Sequence, residues 1–225
     1  MPVLPSADGN NPWISMDYVT RSWPAILDAL VEHVVITAAA VGLATVIAVP
    51  LGLLAVRVRW LATPSLALSG LLYTIPSLAL ITGLWPVFGL SVTTVVVALA
   101  LYALLVILRN TIVGLQTVPD HVVAAARGMG YGEGQILLRI GLPLALPSVM
   151  AGIRLATVST VGLVMVGALV GHGGLGSIVL AAFTNNFYRA PIVLGIVLSV
   201  LLALALELAL SGVERVATPW RRGTR

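Results

Sequence analysis

The sequence predicts an all-α membrane protein with about five transmembrane helices. Its 225 residues are 59% hydrophobic and 9% charged, with a mean hydropathy of +1.08, whereas soluble domains carry about 25% charged residues. A helix needs about 20 apolar residues to cross a hydrocarbon core of about 30 Å. The length therefore has room for five or six spans and for no sizeable soluble domain, and a lipid bilayer is the expected surrounding.

Five apolar stretches have the required length. They cover residues 33–56, 66–88, 92–115, 148–170 and 192–213. Pro50 and Pro76 lie inside the first two, and we interpret them as kinks or breaks within spans, because neighbouring helices in a membrane re-satisfy freed backbone groups. Residues 15–32 mix apolar positions at helical spacing with charged side chains. An amphipathic helix at the outer surface and a plain polar lead-in fit this segment equally well.

The distribution of arginine predicts the orientation. All 12 basic residues are Arg, and most follow the first span, lie between the third and fourth, or follow the fifth. These are Arg57, Arg59, Arg127, Arg139, Arg215, Arg221, Arg222 and Arg225. The opposite side has Arg21 and Arg189, so the N-terminus is expected outside and the C-terminus in the cytoplasm. The arginines form no single basic face, so we expect no nucleic-acid partner.

The composition gives no sign of catalysis or metal binding. Cysteine is absent, which excludes disulfides and thiolate ligands, and the three histidines are scattered. No H-E-x-x-H or G-x-S-x-G pattern occurs. Residues 1–11 contain no basic residue and no apolar core of a secretory signal, so the first span is expected to direct insertion.

The long segment between the third and fourth spans, residues 119–147, is the most informative one. Apolar residues recur there at helical spacing, glycines interrupt at Gly130 and Gly132, and the pattern resumes before Pro143. This predicts two short helices with a turn between them. The periodicity fits equally a knob that fills a groove on another protein and a re-entry helix resting on the inner leaflet.

This segment resembles the EAA signature of ABC importer permeases, which reads E-A-A, three residues, Gly, nine residues, Ile-x-Leu-Pro. The matching residues are Ala124, Ala125, Ala126, Gly130, Ile140, Leu142 and Pro143. Ala124 replaces the Glu of the family, a charge that helps to orient the loop in relatives. The resemblance implies that these residues couple the chain to a cytoplasmic ATPase.

Three further segments resemble permeases for glycine betaine, choline, carnitine and related quaternary-ammonium osmoprotectants. They are Glu32-His33 with residues 50–52, residues 73–80, and the glycine motif Gly171, His172, Gly173, Gly174, Leu175 and Gly176. Members of the family commonly have Ala in place of His172. The glycine motif also occurs in methionine-type permeases, so methionine or another amino acid remains the alternative cargo.

The resemblance implies a type I ABC importer transmembrane domain in a bacterial cytoplasmic membrane. An extracytoplasmic binding protein would deliver the solute, two permease chains, identical or related, would form the path, and two cytoplasmic ATPases would bind ATP and Mg. This chain has no lysine and hence no phosphate-binding G-x-x-x-x-G-K-[ST] loop, so no cofactor is expected on it. The expected divisions are an extracytoplasmic segment 1–30, a permease domain 31–213 and a basic cytoplasmic tail 214–225.

Several single residues have two interpretations. The glycine motif would belong to the outer gate or to the dock for the binding protein. Arg109, Asn110 and Arg154 would snorkel or cap helices, or would form a polar bracket that holds the 119–147 loop. Glu207, the only carboxylate inside a predicted span, fits interfacial snorkelling better than a cation site.

Two aromatic residues lie near the end of the second predicted span. Trp85 and Phe88 fit an interfacial aromatic belt. No aromatic cluster is visible in the sequence, so a cage for a quaternary ammonium is expected on the partner protein. A secondary transporter without an ATPase is the competing class, but it would call for internal repeats and charges at mid-membrane, and the sequence has neither.

Overall fold

The computed structural model describes residues 11–220, in which every regular element is a helix. Within this range the α-helices are α1 Met16–Arg21, α2 Trp23–Arg57, α3 Ala62–Thr74, α4 Ser77–Phe88, α5 Val92–Gln116, α6 Asp120–Gly128, α7 Glu133–Ile136, α8 Leu142–Val164, α9 Leu175–Thr184 and α10 Arg189–Ala217. Short 3-10 segments cover Arg59–Leu61 and Met165–Val170. A π-helical turn, Leu137–Gly141, joins α7 to α8. The expected segments 1–10 and 221–225 lie outside the described residues.

Among residues 11–220, four continuous helical stretches are long and apolar enough to cross a bilayer: α2, α5, the run from α7 to Val170, and α10. They contain the first, third, fourth and fifth predicted spans. Helix α2 begins at Trp23, well before the apolar stretch that starts near residue 33. The helix thus continues through the amphipathic residues that precede its apolar part.

The second predicted span is broken at Pro76. Helices α3 and α4 meet there at 100°. Ile75 is extended, with φ −69° and ψ 128°, because the residue before a proline is disfavoured in the helical region. The Tyr102 hydroxyl donates a hydrogen bond to the Ile75 carbonyl, which satisfies a group that the break frees. Pro50, by contrast, lies inside the continuous helix α2.

Residues 15–32 do not form one amphipathic helix. Ser22 separates the six-residue helix α1 from α2, and Pro24 occupies the first turn of α2, where a missing N–H costs no hydrogen bond. The side chain of Asn11 bonds to the Phe187 carbonyl and the Arg189 N–H. The N-terminal segment is therefore fastened to the start of α10.

Helix α5 lies at the centre of the bundle, between α2 and α8. Glycines permit this close packing, because a Cβ on Gly52 would lie 2.6 Å from the Thr111 methyl, and one on Gly114 would lie 2.6 Å from the Ser148 Cβ. Small residues are the usual means of close helix packing in membranes. In its most apolar window α5 is 56% buried and α10 only 11%. Most of the α10 surface therefore remains available to lipid or another chain.

Candidate functional sites

The 119–147 loop begins with α6, which ends in a Schellman motif. Gly130 has φ +84°, the Tyr131 N–H donates to the Ala126 carbonyl, and the Gly130 N–H donates to the Arg127 carbonyl. These are the two hydrogen bonds that close a helix when the next residue is left-handed, a position that favours glycine. The predicted turn at Gly130 is confirmed by this geometry.

An ion pair spans the turn. Arg127 Nε donates to Glu133 Oε1 at 2.8 Å, and both side chains are more than half exposed. The hydrogen bond to Glu133 raises the pKa of Arg127, so its charge is permanent. An exposed pair contributes little to stability. It links α6 to α7 across the turn at Gly130.

The predicted second short helix is not separate from the fourth span. Helix α7 continues through the π turn into α8, so Ile140, Leu142 and Pro143 lie on one uninterrupted helical run. The Leu142 N–H donates to the Leu137 carbonyl five residues back, so the π turn shifts the hydrogen bonding just before Pro143, which has no N–H to donate. The prediction of two isolated helices is therefore wrong in its second half.

The signature residues differ in exposure. Ala124, Ala125 and Gly130 are exposed, Ala126 is buried, and Ile140, Leu142 and Pro143 are half-buried. Met129 and Leu138 add exposed apolar side chains, at 69% and 58%. The surface of the loop thus presents small and apolar groups, while Ala126 packs inward.

Arg154 does not hold the loop. Its guanidinium donates to the carboxylates of Glu207 and Glu214, with Nε 2.9 Å from Glu207 Oε1 and Nη1 2.8 Å from Glu214 Oε2. This clamp joins α8 to α10. The polar bracket is therefore wrong for Arg154, and Glu207 is paired instead of snorkelling alone. The Asn110 carbonyl accepts a bond from the Ser148 hydroxyl at 2.9 Å, and Arg109 is exposed.

The glycine motif lies at the other end of the bundle and packs against α2. Gly171 and Gly174 have positive φ, at +88° and +52°. A Cβ on Gly174 would lie 2.6 Å from the His33 Cβ and 2.8 Å from the Ala29 carbonyl oxygen. His33 is fully buried there, with Nε2 3.0 Å from the Val161 carbonyl oxygen and Nδ1 accepting from the Leu175 N–H at 3.3 Å. The motif thus brings α9 into contact with α2.

Only part of the motif remains accessible. Gly173, Gly174, Leu175 and Gly176 are buried, whereas Gly171 is exposed and His172 is half-buried. His172 Nδ1 lies 3.4 Å from Glu32 Oε1. Four of the six residues therefore carry the packing, and two present a surface.

Sequence reasoning missed an aromatic pair. Tyr18 and Tyr188 meet edge to face, with ring centroids 5.8 Å apart and planes at 88°. They line a cavity of about 460 Å³ together with Asp28 and Glu32 of α2 and the facing side of α9. No local sequence pattern signals this pair, because Tyr18 and Tyr188 are far apart in the chain and their meeting depends on tertiary folding.

Residues 24–216 match the model of the family described as "binding-protein-dependent transport system inner membrane component". This chain belongs to that family. The permease is 40% identical over 193 residues to the osmoprotectant import permease protein OsmW of Salmonella typhimurium, a match that covers 84% of this chain and 89% of OsmW. It is 34% identical to the carnitine transport permease protein OpuCD of Listeria monocytogenes (91% of this chain and 92% of the relative).

Solved structures agree with the fold. The permease aligns with a chain of the inward-facing MetNI methionine ABC transporter at a TM-score of 0.77, with 23% identity, over 88% of this chain and 98% of that one. An amino acid ABC transporter with histidines gives a TM-score of 0.70 at 18% identity, over 90% and 99%. At these identities the likeness supports the transmembrane fold of such importers and says nothing of cargo.

Family membership confirms three expectations. The permease is a multi-pass inner-membrane subunit of an ABC transporter, it is not itself an ATPase, and hydrolysis of ATP belongs to a partner. Binding-protein dependence is part of the description of the family. The residues that make these contacts are a separate question.

Proposed function

We propose that this permease forms the membrane path for a quaternary-ammonium osmoprotectant that a binding protein delivers. The observation that carries the proposal is that OsmW and OpuCD, at 40% and 34% identity over most of both chains, are named for osmoprotectant and carnitine transport. The choline transport permease OpuBD of Bacillus subtilis is 32% identical over 92% of each chain. The methionine alternative is weaker, since its transporter is 23% identical.

In the proposed assembly, the 119–147 loop docks into an ATPase subunit. Its exposed surface has small side chains at Ala124 and Ala125 and a sharp turn at Gly130, which together allow another protein to approach closely. The exposed side chains of Met129 and Leu138 supply apolar contact. Because α7 runs without a break into α8, a displacement of the loop would pass directly into a spanning helix. A second permease chain would cover part of the exposed surface of α10.

The proposed orientation follows from the arginines, which gather at the end of the bundle that bears this loop. A cavity there is lined by Arg57, Leu115 and Glu133, so the ends of α2 and α5 lie beside the loop. The glycine motif and the Tyr18–Tyr188 cavity then lie on the extracytoplasmic side. There Gly171 and His172 offer the accessible part of a surface for the binding protein.

Uptake into proteoliposomes tests the function. The complete importer would be reconstituted with ATP inside and binding protein outside, and entry of radiolabelled choline, glycine betaine, carnitine and methionine would be compared. We expect ATP-dependent uptake of at least one quaternary-ammonium solute and none of methionine. An importer whose ATPase lacks its phosphate-loop lysine serves as the control. Uptake of methionine alone would overturn the proposed cargo, and uptake driven by an ion gradient without ATP would overturn the mechanism.

A further inference from the structure

We propose that the cavity between α1–α2 and α9–α10 binds the head group of a net-cationic quaternary-ammonium solute such as choline. We call it the Tyr18–Tyr188 pocket, after two of the residues that line it. The choice of solute rests on the proposed function. The permease would thus have a solute site of its own, and this site would bind cations more tightly than zwitterions.

The shape of the pocket suits a small molecule. Its volume of about 460 Å³ falls within the range of about 300–1,000 Å³ that is common for small-molecule sites. One wall is a single face of α2 on which Ala25, Asp28, Ala29 and Glu32 recur at helical spacing. The opposite wall is α9, where Ala181 and Ala182 leave the space open.

Two aromatic rings close one side. The Tyr18 and Tyr188 side chains both line the cavity, are only 9% and 7% exposed, and meet edge to face with their ring planes at 88°. Burial raises the pKa of Tyr18, so its phenol remains neutral. The Tyr188 hydroxyl makes no hydrogen bond to any residue in the described range 11–220. Aromatic faces attract quaternary ammonium ions, which cannot donate hydrogen bonds and are recognised through charge and polarisable surface.

The charge of the pocket selects the sign of the ligand. Asp28 and Glu32 contribute two carboxylates, and no Arg is among the described residues that line the cavity. Two arginines lie near lining residues along the chain, and both have other partners. Arg21 is 2.7 Å from Asp17 on α1, and Arg189, which follows Tyr188, lies over the Trp13 ring at 4.9 Å from its centroid. Of the two carboxylates, only that of Glu32 lies near His172, with its Oε1 atom 3.4 Å from His172 Nδ1. A solute that carries its own carboxylate, such as glycine betaine, is therefore repelled relative to choline.

Direct binding to the importer complex in nanodiscs, without the binding protein, tests the site. Radiolabelled choline is the ligand, and the competitors are tetramethylammonium, glycine betaine, potassium ion and 3,3-dimethyl-1-butanol, which is the uncharged analogue of choline. We expect tetramethylammonium to displace choline and the uncharged analogue to fail. Glycine betaine should compete at least about tenfold more weakly than choline itself.

Variants separate the charge from the rings. Asp28→Asn combined with Glu32→Gln should weaken choline binding by at least about tenfold, and Tyr188→Leu by about three- to thirtyfold. Tyr188→Phe keeps the ring and should bind like the wild type, which also guards against loss of folding in the Leu variant. Asp17→Asn combined with Arg21→Gln is the control, because it removes an acidic side chain together with the arginine that pairs with it, at two residues that do not line the pocket.

The outcomes are distinct. Equal displacement by the uncharged analogue, or equal binding by the Asp17→Asn/Arg21→Gln control and the Asp28→Asn/Glu32→Gln variant, would overturn the pocket. Displacement of choline by potassium ion as effectively as by tetramethylammonium would reduce it to a plain cation site, which also overturns the proposal. If the wild-type importer takes up choline and the Asp28→Asn/Glu32→Gln variant binds choline as tightly as the wild type, the pocket is refuted and the proposed function stands. If the wild type binds choline in the pocket but takes up no quaternary-ammonium solute, the pocket stands and the proposed function is refuted.

Discussion

His33 can make both of its hydrogen bonds in only one neutral tautomer. Its Nδ1 accepts a bond from the Leu175 N–H, so the ring proton must be on Nε2, which donates to the Val161 carbonyl. One imidazole thus joins α2, the fourth span and the start of α9. His33, the second residue of the Glu32-His33 pair that resembles osmoprotectant permeases, therefore has a structural role.

Gly174→Ala is predicted to destabilise the protein. The new methyl group would meet the His33 Cβ at 2.6 Å and a backbone oxygen at 2.8 Å, at a φ of +52°. Left-handed backbone costs a residue with a Cβ about 1–2 kcal/mol, and overpacking adds about 1–3 kcal/mol. A fall in thermal midpoint, measured by size-exclusion chromatography of heated detergent samples, would report it.

Gly171→Ala is the matched control for this prediction. Gly171 has a φ of +88°, but a Cβ there meets nothing within 4 Å. The strain of the backbone remains and the clash is absent, so the midpoint should fall less than half as far as in Gly174→Ala. Equal falls in the thermal midpoint would show that the positive φ alone, and not close contact with α2, explains why position 174 is a glycine.

Substitutions in the clamp between α8 and α10 should lower the thermal midpoint by different amounts, depending on which residue is replaced. Arg154 joins Glu207 to Glu214. Arg154→Met removes the guanidinium that Glu207 binds, whereas Glu207→Gln leaves Arg154 paired with Glu214. Removing one partner of a partly buried ion pair is costly, because the remaining charge, here that of Glu207, loses its counterion. We expect the thermal midpoint to fall by at least about 4 °C in Arg154→Met and by less in Glu207→Gln.

The double variant completes this test. If Arg154 acts through Glu207, then Glu207→Gln in the Arg154→Met background removes a carboxylate that has lost its partner and should restore part of the stability. Additive losses in the double variant would mean that the two side chains act independently and that the clamp is incidental.

Ala125→Trp is predicted to uncouple the permease from its ATPase without unfolding it. Ala125 is exposed on α6, so this chain accommodates a large side chain there, whereas a docked subunit would not. Gly130→Asp should act in the same way, with added backbone strain. At equal membrane abundance we expect ATPase co-purification and solute uptake to fall by at least about tenfold in both variants.

Ala125→Ser is the control for size, since it keeps a small side chain and should transport normally. Affinity of the binding protein should be unchanged in all three variants, because the loop lies at the opposite end of the bundle from the glycine motif. Wild-type uptake by Ala125→Trp and Gly130→Asp would favour a loop that rests on lipid, where substitutions are tolerated.

The elements that sequence predicted well depend on local patterns. The lengths of the five apolar stretches predicted the four continuous spans, and Gly130 predicted the turn, because each of these features is determined by residues close together in the chain. The break at Pro76 was readable as a kink or break, but its 100° angle depends on how α3 and α4 pack. The pairs Arg154–Glu207 and Tyr18–Tyr188 join residues far apart in the chain. No periodicity encodes such meetings, so the clamp and the aromatic pair escaped prediction.

The topology of the whole molecule is open to direct measurement. Reporters fused after Arg59, near Gly132 and at Arg225 should report cytoplasm, and fusions near Leu90 and Asn185 should report the outside, because arginine is retained on the cytoplasmic side. Alkaline phosphatase and a fluorescent protein, which are active on opposite sides, provide two independent signals.

An extracytoplasmic signal at Gly132 would contradict both the orientation and the docking of the loop. A cytoplasmic signal at Asn185 together with one at Gly132 would mean that the fourth span does not cross. Either result would also move the Tyr18–Tyr188 pocket away from the side on which the solute arrives.

The contact between the two ends of the chain has a consequence for biogenesis. Tyr18 and Ile26 pack against Tyr188 and Ala190, which leave the ribosome about 170 residues later. At synthesis rates of about 5–20 residues per second, the first segment waits on the order of ten to thirty seconds for its partner. During that interval Tyr188 and Ala190 are missing from the contact, so a nascent chain stalled before α10 presents an unfinished surface around Tyr18 and Ile26 to proteases and chaperones at the membrane. The packing of α1 and α2 is thus finished only when α10 arrives.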